Sequence, residues 1–101
     1  MDDLTKIQKK VLLTLYREYL KTKSNYFGDS DSFRDSLFPN FSNDELSDIC
    51  WSLHSKSYLT CEPGDDFACD VKLSDKTIIY MENRFKNGFV EVTDFLSKFI
   101  P

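Results

Sequence analysis

The stretch from Phe41 to Cys61, FSNDELSDICWSLHSKSYLTC, constrains the fold of this chain more than any other. It opens on Ser42-Asn43-Asp44-Glu45, a Ser-x-x-Glu capping box, in which the serine hydroxyl and the glutamate carboxylate satisfy orphan amides reciprocally. Phe41 and Leu46 stand at the two positions of a hydrophobic staple, which sets the angle at which the chain enters the helix. Leu46, Ile49, Cys50 and Leu53 then recur at i, i+3, i+4 and i+7, one stripe of an amphipathic helix. After Lys56-Ser57 the pattern changes to Tyr58-Leu59-Thr60-Cys61, which reads as a strand. A capped helix that runs directly into a strand leaves few topologies open.

The flanking segments narrow them further. A first helix is expected from Asp2 or Asp3, either of which can cap it, to about Lys21. Leu4, Ile7, Val11, Leu15 and Tyr19 form one stripe, and Leu12, Tyr16 and Leu20 widen it, so this helix should be packed on more than one side. Lys6, Lys9, Lys10, Arg17, Lys21 and Lys23 are assigned to its solvent face. Tyr26-Phe27 before Gly28 suits a short strand, and Phe33, Leu37 and Phe38 suit a brief second helix ending before Pro39. Beyond the central helix, Leu59 to Glu62 and Phe67 to Leu73 read as a hairpin around Pro63-Gly64-Asp65-Asp66. Ser74 or Asp75 then caps a last helix. Its apolar series Ile78, Met81, Phe85, Phe89, Val92, Leu96 and Phe99 is interrupted by Asn87-Gly88, and glycine inside a helix costs about 1 kcal/mol. Helix is expected on both sides of Gly88, with either a bend or break there or one helix carried through it by packing.

These elements together specify an α+β class: a winged helix-turn-helix, with a three-helix core and a β-hairpin wing, plus an extra C-terminal helical segment. Residues 1–101 would form one domain, and residues 75–100 its C-terminal helical extension, a possible dimerisation element. The order of elements, together with Leu73-Ser74-Asp75-Lys76 and Tyr80-Met81-Glu82-Asn83, resembles small bacterial and prophage-type winged-helix proteins of the YjcQ-like group. The resemblance covers about residues 4 to 86. It implies no catalytic residues and at most DNA binding, and this chain departs from it by carrying Thr77 where a glycine is usual.

Charge argues against that implied activity. Residues 1–28 carry a net +3, residues 29–70 a net −8 and residues 71–101 a net +1. The acidic block is thus the helix-turn-helix and wing themselves, with Arg34 and Lys56 as its two cations. On a helical projection Asp44, Ser47, Asp48, Trp51, Ser52 and Ser55 face solvent from the central helix, and Glu62, Asp65 and Asp66 sit at the wing tip. Base readout uses Arg, Lys, Asn or Gln, and phosphate contacts need cations whose binding releases counterions. Asp44, Asp48, Trp51 and Ser55 are therefore assigned to a protein partner. Trp51 is either an interface anchor or a ring folded back over the wing or the first helix. If nucleic acid is bound at all, Lys6, Lys9, Lys10 and Arg17 of the first helix are the candidate contacts.

Other chemistries find little support. Cys50, His54, Cys61 and Cys69 are zinc-type ligands, but their spacing matches no standard site, and buried reduced thiols fit better; the cysteines would draw close across the hairpin were it symmetric about Asp65. No metal or cofactor is expected, and one histidine among scattered carboxylates makes no catalytic motif. With neither a leader segment nor an apolar run of membrane-spanning length, the expectation is a cytoplasmic chain without membrane association. Finally, Phe89, Val92, Phe95, Leu96, Phe99 and Ile100 exceed what a minimal winged helix needs. They are assigned to a homodimer interface, with the broad apolar surface of the chain's own first helix as the alternative partner.

Overall fold

Three helices begin where a side chain closes the first turn. Thr5 caps α1 (Lys6–Thr22) in a reciprocal box with Gln8, Ser42 caps α3 (Asn43–Ser55) with Glu45, and Ser74 caps α4 (Asp75–Arg84) through the Thr77 amide. The cap of α1 corrects the expectation of Asp2 or Asp3. Thr5 and Gln8 satisfy each other's amides at 3.1 and 3.0 Å, whereas the Asp3 carboxylate accepts the Tyr58 hydroxyl at 2.8 Å. The computed structural model describes residues 1–64 and 66–98, so Asp65, Phe99 and Ile100 lie outside the described residues.

Between these helices run β1 (Tyr26–Gly28), α2 (Ser30–Leu37), β2 (Leu59–Pro63) and β3 (Ala68–Leu73), and α5 (Phe89–Ser97) ends the order. The strands form an antiparallel sheet in the order β1-β3-β2. Five helices and this sheet make an α+β architecture among the described residues, compatible with a winged-helix arrangement.

A helix break and a bulge shape it. Helix α4 ends at Arg84, and Gly88 caps α5 at φ +64°, a conformation open to glycine without a Cβ penalty, so the junction, open from sequence alone, is a break. In the hairpin Glu62 opposes Cys69, and the register shifts between Thr60 and Glu62. Asp70, at φ +49°, takes up that shift, held by its own N–H on Asp29 and by the Tyr26 hydroxyl at 2.7 Å on its carboxylate. The symmetric register that would set Cys61 opposite Cys69 is therefore not formed.

The core centres on α1. Val11 to Tyr16 are all buried, because α5 packs on one side of the helix and α3 on another. Leu46, Cys50 and Leu53 of α3 join Leu59, Val71 and Leu73 of the sheet beneath them. The base of the hairpin is tied to α4 by polar atoms: the buried Thr77 hydroxyl donates to the Tyr58 carbonyl at 2.7 Å. Thr77, where the resemblance would have glycine, thus satisfies a carbonyl at the hairpin's entry.

Candidate functional site

The exposed surface of α3 carries Asp44, Asp48 and Ser55, as its sequence implied. Ser47 does not share that surface. It is 5% exposed, and its Oγ accepts the buried Ala68 N–H at 2.9 Å. Helical projection alone misplaced it, because β3 docks on that side of α3. Trp51 is half-buried and packs against the edge of the core, its ring edge-on to His54 at 5.3 Å between centroids. Nδ1 of His54 accepts the Cys61 N–H at 3.2 Å, so the Trp51–His54 pair braces the helix against β2.

The two cations of the acidic block are both committed inside the chain. Arg34 donates to Asn43 Oδ1 and to the Phe41 carbonyl, each at 2.9 Å, and pairs with Asp35. Lys56 donates to the Asp3 carbonyl at 2.6 Å and to Gln8 at 3.2 Å, bridging the start of α1 to the end of α3. Asp44, Asp48, Glu62 and Asp66 are exposed, and among the described residues none of the four takes part in an ion pair. Such a surface repels phosphate and offers carboxylates to amines.

The thiols lie in two separate places. The Cys61 thiol donates to the Cys50 carbonyl at 3.7 Å beside His54, whereas Cys69 faces away, its thiol on the Phe67 carbonyl at 3.4 Å. Burial pushes the Cys50 thiol up to about 12 and the Cys61 thiol up to about 11, and it also raises that of Cys69. Nucleophilic and metal-binding cysteines are shifted the other way. Among the described residues no group of three or more histidine, cysteine or acidic side chains is placed to hold a metal ion.

A groove that sequence reasoning missed lies beside the start of α3. Lys6, Ile7 and Lys10 of α1, Asn40 and Phe41 of the α2–α3 turn, and Phe95 and Lys98 at the end of α5 enclose about 500 Å³. Ile7 is 52% exposed there. A second groove of about 340 Å³ shares Ile7 and Phe41 but has Glu45, Asp48 and Ile49 on its far wall. Of the proposed nucleic-acid contacts, Lys6 and Lys10 edge the first groove, while Lys9 and Arg17 are half-buried along the same helix. The one available signal is Ile7, the exposed member of a stripe whose Leu4, Val11 and Leu15 are buried.

The C-terminal candidates divide. Val92 is 0% exposed and Leu96 is buried, both within the core of their own chain, where α5 packs on α1. Phe95 is half-buried, edge-on to Phe85 at 5.7 Å, with the Arg84 and Lys98 cations over its ring. Phe89 stays 43% exposed. Part of the apolar surplus is thus met by the first helix of the same chain. Comparisons with family models, curated proteins and solved structures find no match. Among the described residues no helix is long and apolar enough to cross a membrane.

Proposed function

We propose that this chain is a non-enzymatic winged-helix module of the YjcQ-like kind, a regulator-like or mobile-element accessory protein that acts through protein interaction and self-association. The observation that carries this reading is the acidic surface of α2, α3 and the hairpin, whose two cations are spent on the chain's own oxygens. Counterion release, the main source of affinity for DNA, has nothing to work with on that surface. Carboxylates flanking a half-buried tryptophan instead suit a basic or amide-rich protein partner.

Binding of DNA through the first helix is the second reading, favoured by Lys6 and Lys10 beside Lys98 on one groove. A mobility-shift titration with mixed-sequence duplexes at low salt tests the first reading. No sub-micromolar shift is expected. A salt-sensitive sub-micromolar shift abolished by substitutions within residues 47–55 contradicts it, and one abolished instead by Lys6→Ala with Lys10→Ala establishes the second.

A further inference from the structure

The two grooves meet on a ridge made by Ile7 and Phe41, and their charges are opposite. Lys6, Lys10 and Lys98 line one side; Glu45 and Asp48 line the other. Helix geometry explains the division. At about 100° per residue Lys6 and Lys10 project to one side of Ile7 and Gln8 to the other, and Gln8 lines the acidic groove. On the facing wall Glu45, held in the capping box, and Asp48, three residues further along α3, line the second groove, whereas Asn40 lines the first. Among the described residues none of these lysines and neither carboxylate takes part in an ion pair.

A surface ordered basic, apolar, acidic across a central ridge is complementary to its own copy rotated by half a turn. We propose that the Ile7–Phe41 ridge is a twofold dimer interface, in which the lysine side of one copy lies on the Glu45–Asp48 side of the other. The proposal rests on the reading that the chain self-associates, and it names the surface. It requires an isologous contact, which closes at two copies and leaves no open end for further growth. Ile7, Phe41 and Ile49 supply the apolar centre, and the charges form the rim, the usual anatomy of a specific interface. An anionic amphiphile would satisfy the lysine groove alone and leave Glu45 and Asp48 without a role. A second copy uses both sides.

Charge reversal gives a decisive test, because the twofold axis makes each pair occur twice. Lys10→Glu alone sets a new carboxylate against Asp48 in both contacts, and Asp48→Lys alone sets a new ammonium against Lys10 in both. Each single variant should dimerise at least about tenfold more weakly than the native chain, since like charges juxtaposed in an interface are strongly disfavoured. An equimolar mixture of the two variants should recover the dimer as a heterodimer, and so should the double variant K10E/D48K as a homodimer. Sedimentation equilibrium in moderate salt reads all five samples, and circular dichroism confirms that each is folded. A native dimer that tolerates both single reversals, or that is weakened by them without recovery in the mixture, overturns this surface and leaves self-association to another face. A native chain that remains monomeric at hundreds of micromolar overturns both this proposal and the self-association reading.

Discussion

The acidic region of α2, α3 and the hairpin and the lysine-edged flank of α1 and α5 use their cations in opposite ways. Arg34 and Lys56 each reach two or more oxygens of their own chain, so their charge is spent on holding the α2–α3 turn and the start of α1. Lys6, Lys10 and Lys98 edge a groove and, among the described residues, form no ion pair. The net charge of a segment therefore says less than what its charges are bound to. The lesson for function is that α3 and the hairpin, the most acidic part of the surface, are the region least suited to a polyanion.

Helix α5 offers the sharpest way to break this comparison, since one of its faces is core and another is open. Val92→Asp should cost more than about 4 kcal/mol, because it buries a carboxylate with no partner, whereas Phe89→Asp should stay within about 0.5 kcal/mol. Urea unfolding measures both; equal costs would mean that α5 is not seated as described.

The cations come next. Arg34→Ala should lose about 2–3 kcal/mol, since hydrogen bonds from a charged group are worth more than neutral ones and its acceptors are partly buried. Lys10→Ala should change stability by less than about 0.5 kcal/mol. Similar losses at the two sites, again read from urea midpoints, would erase the distinction between structural and available charge.

Ser47 probes the docking of the hairpin on α3. Ser47→Ala should cost about 1–3 kcal/mol by stranding the buried Ala68 N–H. The matching change on the exposed side, Ser55→Ala, removes only a local bond to the Ser52 carbonyl and should cost less. A Ser47 variant as stable as the native chain would restore the solvent-facing placement that helical projection implied.

The smallest effect near neutral pH is in the thiols and Tyr58. Burial lifts Cys50 from an ordinary 9.0 to about 12 and Cys61 to about 11, and burial with the Asp3 hydrogen bond lifts Tyr58 from 10.0 to about 12. The folded chain thus holds protons that the unfolded chain releases. Stability should be full below pH 9 and fall between about 9 and about 12. Cys50→Ala should flatten that fall, as measured by urea midpoints along a pH series; a decline that is unchanged would place its origin elsewhere.

Much of this fold was legible because its signals are local. The Ser42–Glu45 box, the stop before Pro39 and the Tyr26–Gly28 strand each depend on a few neighbouring residues. What was not legible depends on distant contacts. Thr5 rather than Asp3 caps α1 because Asp3 is drawn to Tyr58, and Ser47 is buried because β3 lies across it. The register of the hairpin turns on one residue, Asp70, held in the left-handed region by Tyr26 and Asp29. The groove joins the start of α1, the α2–α3 turn and the end of α5, segments no periodicity brings together.

The central claim is that this chain acts by associating through protein surfaces. Light scattering on the native protein at tens of micromolar tests it most directly. A mass near twice 11.8 kDa is predicted. A mass of 11.8 kDa that persists on raising the concentration tenfold would contradict it.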